Sequence, residues 1–147
     1  MRKTRKGEAM QSDVLRVLRG AEHALSAYDV LNALKTTAPR LAPATIYRAL
    51  KALCASGQVL RVESLNAYAP RQSETMDAPV ILSICDDCGA LRESVAPELL
   101  VSLSDMARKA GIEPTHHVVE IHGHCTDCGA SRQTGGSRKT TPPYDRK

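Results

Sequence analysis

Cys85-x-x-Cys88 and Cys125-x-x-Cys128 are two matched cysteine pairs in one chain. Four thiolates at this spacing suit a tetrahedral zinc ion, the geometry of a closed structural site. A glycine, Gly89 or Gly129, follows the second cysteine of each pair. Each pair can therefore close a tight turn whose backbone amides point at the sulfurs and soften the charge of four thiolates. The stretch between the pairs is long enough for a helix and a strand, so one ion would staple the two ends of a domain. Metal-binding energy then becomes folding energy. The competing chemistry is thiol–disulfide exchange at one pair, which favours a helix N-terminus where the dipole lowers a thiol pKa. Both pairs read as following strands, and structural zinc, one ion per subunit, is the expectation. The fifth cysteine, Cys54, sits in the middle of a helical run and reads as a small buried hydrophobe.

A second set of residues could read nucleic acid. Ala44-Thr45-Ile46-Tyr47-Arg48-Ala49-Leu50 is amphipathic at helical spacing, with Ile46, Leu50 and Leu53 on the core side. Tyr47, Arg48 and Lys51 lie elsewhere on the helix. Thr45 near its start could contact phosphate, Tyr47 a thymine methyl, and Arg48 a guanine through two hydrogen bonds. In isolation the same pattern describes an ordinary amphipathic helix. The net charge is +4, and basic residues gather in Arg2-Lys3-Thr4-Arg5-Lys6, in Arg138-Lys139 and in Arg146-Lys147. Such arms either attract polyanions by counterion release or are solvated tails.

The elements needed to position these groups are legible from apolar periodicity. The 147 residues contain no Phe or Trp, so Leu, Val, Ile and Ala must build the core. A basic disordered tail is expected over 1–7. Helices follow over 8–18, after Ser26 with Asp29 as a capping-box partner, and from Pro43 to about Gly57. Val59–Val62 and Ala67–Ala69 alternate as a β-hairpin. Three helices and a hairpin, over 8–70, make a winged helix-turn-helix. Residues 71–79 are polar and read as a hinge. A second domain over 80–130 contains a strand from Val80, a shorter strand from Leu91 to Val95, a helix from Pro97 capped by Gly111, and a strand over His117–His122. From Ser131 the composition turns to Gly, Ser, Thr, Pro and basic residues, and 131–147 reads as a disordered tail. The fold class is α+β, an α/β mixture in two small domains, each of a size that a metal or partner subunit helps to stabilise. No run approaches the ~20 apolar residues of a membrane span, and no apolar stretch follows the basic start, so a cytoplasmic protein without membrane contact is expected. No catalytic constellation is visible.

In this order the pieces resemble the ferric uptake regulator family, most closely its zinc uptake branch. The similar segments are Ser26-Ala27-Tyr28-Asp29, Thr45-Ile46-Tyr47-Arg48-Ala49-Leu50, Gly57, Val62-Glu63-Ser64 with Asn66 and Tyr68, Cys85-Asp86-Asp87-Cys88-Gly89-Ala90, and His117-Val118-Val119-Glu120-Ile121-His122-Gly123-His124-Cys125. They run from about Asp13 to Gly129. The resemblance implies a homodimer on a palindromic operator in double-stranded DNA, usually repressing metal-uptake genes. It matches Tyr28 and Arg48 to base-contacting residues, Tyr47 to a base- or sugar-contacting tyrosine, and the four cysteines to a structural zinc site.

The resemblance also implies a second, sensory metal at the hinge, and there the sequence departs from it. Two of its ligand positions hold Leu60 and Arg71, and a hinge histidine is replaced within Asp77-Ala78-Pro79. Glu93 alone remains of that set. His116 or His117 matches a metal-binding histidine of many relatives. Strand alternation would put His116, Glu120, His122 and His124 on one face and His117 on the other. Either these groups and Glu93 form a rearranged metal site, or they are a polar strand beside the structural zinc. The basic residue usual near the start of the first helix is replaced around Gln11, and the tail from Arg2 to Lys6 could take over its phosphate contacts. Three functions follow: a zinc-responsive repressor, a DNA-binding regulator that no longer senses metal, or a zinc-buffering or redox protein with a vestigial DNA-binding half.

Overall fold

A computed structural model describes residues 2–74 and 78–133. The chain divides into two compact units, Met1–Met76 and Asp77–Lys147, and the division falls inside the expected hinge. Hinge residues 75–77 and the expected tail from 134 to 147 lie outside the described residues.

The first unit consists of α1 (Arg2–Arg19), α2 (Ala27–Lys35), α3 (Pro43–Ala55), β1 (Val59–Val62), one 3-10 turn (Glu63–Leu65) and β2 (Ala67–Pro70). Helix α1 begins at Arg2, so residues 2–7 are helical where a disordered tail was expected. Arg, Lys and Glu are good helix formers, and the packed turns from Met10 onward nucleate a helix that runs back across Gly7 at a cost of about 1 kcal/mol. Helix α2 starts as expected: the Ser26 hydroxyl accepts the Asp29 amide at 3.1 Å, and the Asp29 carboxylate accepts the Ser26 amide at 3.1 Å. Pro43 opens α3 at a position where its missing N–H costs nothing. Val14 and Leu18 of α1, Val30 of α2, Ile46, Leu50 and Leu53 of α3, and Val59 of β1 are all fully buried. The hairpin pairs Val59 with Pro70 and Val62 with Ala67. Leu25 adds a bridge to Tyr68 with amide–carbonyl bonds of 2.9 and 2.7 Å, which ties the α1–α2 connection to the wing. A single bridging residue leaves no alternating pattern, so the sequence did not announce it.

The second unit has β3 (Val80–Cys85), β4 (Leu91–Val95), α4 (Pro97–Lys109), β5 (Val119–Gly123) and α5 (Thr126–Gln133). Its sheet has the order β4-β3-β5, with β4 antiparallel and β5 parallel to the central strand. Helix α4 ends in a Schellman turn: the Ile112 amide donates to Ala107 and the Gly111 amide to Arg108, both at 2.9 Å, with Gly111 at φ 82° as a left-handed position demands.

Two expectations fail in this unit. Strand β5 starts at Val119, so His116 and His117 precede it and the face assignment made for them does not hold. The His117 ring lies 2.8 Å from the Ser104 hydroxyl, so its partner is on α4 rather than on the sheet. The second cysteine pair does not end in a turn followed by a tail. Cys128 and Gly129 lie inside α5, which continues through residues 131–133. Among the described residues no helix is long and apolar enough to cross a membrane.

Candidate metal centre and nucleic-acid interface

Parallel pairing is what brings the two cysteine pairs together. In a parallel pair the C-terminal ends of both strands lie at one edge of the sheet. Register sets Cys85 opposite Gly123, so the turn leaving β3 and the turn leaving β5 emerge side by side. Between Cys85 and Ala90 the chain reverses tightly: the Cys85 amide donates to Ala90 and the Gly89 amide to Cys85, both at 2.9 Å. Gly89 has φ 73°, a left-handed conformation that lets the chain turn back into β4. The second pair uses a helix instead. The Cys125 sulfur accepts the Cys128 amide at 3.4 Å, the place a side-chain oxygen takes at a helix N-cap. Asp127 supplies the acidic residue favoured in the first turn. Thr126-Asp127 was the sequence signal for this helix.

The four Sγ atoms lie within 4.8 Å of one another, and Cys88 and Cys125 are 3.8 Å apart. A tetrahedral ion with bonds of about 2.3 Å separates its sulfurs by about 3.8 Å. The cluster therefore has the dimensions of a zinc centre. All five cysteines are free, with Cys85 buried and Cys88 exposed. The Cys125 amide also donates to the Cys85 sulfur at 3.3 Å.

Ionisation is shared unequally. Burial resists charge on Cys85, but the amides of Cys125, Cys88 and Asp87 and the Cys88 thiol together bring its pKa down to about 6. Cys88 receives the Ala90 amide, which favours its thiolate, but its contacts with Cys85 and Cys125 outweigh that and push its pKa up. Cys128 is pushed up by its contacts with Cys125 and Cys88. Four thiolates cannot coexist at this distance without a cation, so a metal must displace protons from Cys88 and Cys128 as it binds. Placement of Cys125 and Cys128 at a helix start removes one reason for dismissing redox chemistry. The approach of all four sulfurs, rather than of one pair, is what favours metal. Cys54 is half-buried on α3, and desolvation pushes its thiol up.

The other candidate ligands are dispersed. Glu93 on β4 and Glu120 on β5 both lie opposite Leu82, on either side of the central strand. His116 Nδ1 is 3.1 Å from the Thr115 hydroxyl, and His117 faces Ser104. His122 Nδ1 is 2.8 Å from Asp86 Oδ1, and His124 Nδ1 is 2.9 Å from Asp87 Oδ2. Among the described residues the four cysteines are the only group of three or more His, Cys, Asp or Glu side chains close enough to hold one ion. The two His–Asp pairs went unnoticed in the sequence, because Asp86 and His122 stand 36 residues apart.

In the first unit, Tyr28 at the start of α2 is 68% exposed and Tyr47 on α3 is 57% exposed. Arg48 and Lys51 are exposed on α3, and Thr45 is half-buried near its start. The Arg48 Nε–H rests on the Ala44 carbonyl at 3.3 Å, a contact within its own helix that does not restrain it. Between α1 and α3 runs a groove of about 230 Å³ lined by Lys6, Met10, Gln11, Thr45 and Arg48. Its lining brings Lys6 of α1 to the same groove as Thr45 and Arg48 of α3, with no acidic residue among the described lining residues.

Known proteins share this fold. The ferric uptake regulator family matches residues 4–122. The zinc uptake regulation protein of Escherichia coli (strain K12) is 39% identical over 119 residues, which cover 79% of this chain and 68% of that protein. Among solved structures, a zinc uptake regulator complexed with zinc and DNA superposes with TM-score 0.77 at 35% identity, covering 84% of this chain and 83% of the other. Holo XcZur superposes with TM-score 0.75 at 31% identity, covering 82% and 84%. The similarity runs through both units rather than one, and the chain belongs to the ferric uptake regulator family, on the side of its zinc uptake regulators.

Proposed function

We propose that this protein is a sequence-specific transcriptional regulator, a homodimer that binds a palindromic operator in double-stranded DNA and represses zinc-uptake genes. Cys85, Cys88, Cys125 and Cys128 hold one structural zinc ion per subunit. That ion supplies no reaction; it neutralises the thiolates and ties the ends of β3 and β5 together. The observation carrying the proposal is that α3 buries Ile46, Leu50 and Leu53 in the core while it exposes Tyr47, Arg48 and Lys51. Tyr28 and Thr45 complete the DNA-facing set. A relative of the same fold has been solved with zinc and DNA. Such a regulator works in the cytoplasm, beside the chromosome.

Dimerisation is supported by the apolar balance of the second unit. Its buried hydrophobic residues are Ile81, Leu82, Ile84, Cys85, Leu91 and Leu100. It exposes Val95, Leu99, Val101, Met106, Ile112, Val118 and Ile121, more large apolar groups than it buries. Strand β5 is also a sheet edge. Exposed apolar groups in this number, with a strand edge left open among the described residues, suit a second copy of the chain.

Lys6 extends the interface along the backbone. Lys6 lies in the N-terminal part of α1, where a cation opposes the helix dipole and a phosphate would offset both. Lys6→Ala should weaken binding to operator and to unrelated DNA alike, and lower the salt dependence of log K by about one per subunit. Fluorescence anisotropy at several salt concentrations measures both. Weaker operator binding with an unchanged salt slope would remove Lys6 from the phosphate contacts.

A second reading keeps the DNA binding and drops the metal response. Leu60 and Arg71 occupy positions where the family resemblance expects ligands, and Arg71 Nε–H donates to the Ser73 hydroxyl at 2.8 Å. Leu and Arg cannot replace a soft ligand of zinc. Here, zinc added beyond the structural equivalent should leave operator affinity unchanged. Metal analysis beside anisotropy decides it: affinity that rises with a second equivalent of zinc favours the responsive repressor, and Glu93→Ala should then abolish that rise.

A further inference from the structure

The first cysteine turn places two carboxylates between two metal-binding sulfurs, in Cys85-Asp86-Asp87-Cys88. Four thiolates around a divalent ion already carry a net double negative charge. Asp86 and Asp87 add two more charges of the same sign to the same few residues, and like charges at this range oppose one another. The turn nevertheless has to hold one conformation, because the Asp87 and Cys88 amides point at the Cys85 sulfur.

The end of β5 supplies what the turn lacks. The Asp86 amide donates to the Gly123 carbonyl at 2.8 Å. On either side of that bond an imidazole meets a carboxylate: His122 Nδ1 at 2.8 Å from Asp86 Oδ1, and His124 Nδ1 at 2.9 Å from Asp87 Oδ2. An ionised carboxylate only accepts, so His122 donates from Nδ1 to Asp86. The Asp87 oxygen that faces His124 is buried, so the imidazole is the polar group set against it at 2.9 Å. Cys88, the far end of the same turn, is the exposed member of the four. Any opening that releases an ion has its easiest path there.

We infer that His122 and His124 are positioning residues for the metal centre, which keep the first cysteine turn closed by offsetting the two carboxylates within it. The inference rests on zinc being held by the four cysteines. Neither imidazole touches the ion; both act through Asp86 and Asp87 on the amides that face Cys85. Groups just outside a ligand shell commonly change metal affinity by about 10–100-fold when removed.

The test is the rate at which the zinc-loaded, full-length protein yields its metal to a chromogenic chelator in excess. His122→Ala and His124→Ala are each expected to release zinc about 10-fold faster or more. Asp86→Asn alone, which removes a charge and keeps an acceptor, should release it no faster than wild type. Asp86→Asn in the His122→Ala background should recover most of the loss, as should Asp87→Asn in the His124→Ala background, which purely structural damage would not allow. Cobalt substitution gives a second readout, a tetrahedral thiolate spectrum unchanged in every variant. Wild-type release rates in both histidine variants, or losses that the asparagine substitutions leave in place, would overturn the inference. A wild-type protein that carries no zinc would overturn the four-cysteine site itself, and is distinguished by metal analysis before any chelator is added.

Discussion

Cys85→Ser is expected to abolish stoichiometric zinc and, with it, the folded state of the second unit and the dimer. The size of the effect follows from how little else holds that unit. Its sheet has three strands, and its buried apolar side chains come mainly from β3, with Leu91 and Leu100 added from β4 and α4. A structural zinc site of this type contributes about 10–16 kcal/mol in small zinc-finger peptides. Whole domains of ordinary size are stable by only about 5–15 kcal/mol. Losing one of four ligands also leaves the remaining thiols crowded without a cation, and Cys85 is the buried one on which three backbone amides converge. The first unit has a core of its own through α1, α2 and α3, so helical signal should persist while dimerisation is lost. Zinc content by atomic absorption, circular dichroism and sedimentation velocity check the three parts separately. Cys54→Ser is the control, since Cys54 lies on α3 outside the cluster; it should keep full zinc. A Cys85→Ser protein that remains dimeric with one zinc per subunit would refute the metal centre.

Sequence reasoning reached the elements that rest on strong local signals. Ser26 with Asp29, Pro43, and the spacing of Ile46, Leu50 and Leu53 each act within a few residues, and α2 and α3 begin where they imply. The matched cysteine pairs were legible for the same reason: both spacings are local, and two such pairs together suit one tetrahedral ion. What stayed hidden depends on partners distant in the chain. The Leu25–Tyr68 bridge, the Ser104–His117 contact and the His–Asp pairs join residues that only the packing of separate elements brings together. Parallel pairing of β3 and β5 makes the metal centre possible, yet no single residue encodes it. The start of α1 was misjudged because a run of Arg and Lys reads as solvated whether or not it is helical. Helix α5 was missed because glycine after Cys128 suggested a turn, although a Cys125 sulfur can cap a helix as an oxygen does.

Arg48→Ala should leave the fold intact and remove most sequence discrimination. Arg48 is exposed, and among the described residues its side chain bonds only to the carbonyl of Ala44 within α3, so the change in folding stability should stay within about 0.5 kcal/mol. A bidentate arginine–guanine contact is worth about 1–3 kcal/mol of discrimination. A symmetric dimer makes the contact twice, for a loss of about 2–6 kcal/mol, or more than about 20-fold even at the lower limit. Arg48→Lys divides the two roles a cation could have on this helix. Lysine keeps the charge but presents a single ammonium instead of a planar fork. If Arg48 reads a base, Arg48→Lys should lose operator preference nearly as fully as Arg48→Ala, while its affinity for unrelated DNA and its salt slope stay near wild type. If Arg48 only neutralises a phosphate, Arg48→Lys should bind operator as wild type does, and Arg48→Ala should weaken every sequence equally. Competition between labelled operator and scrambled duplex separates these outcomes. Retained operator preference in Arg48→Ala would move base reading to other residues of the same surface, with exposed Tyr47 and Tyr28 the next to substitute.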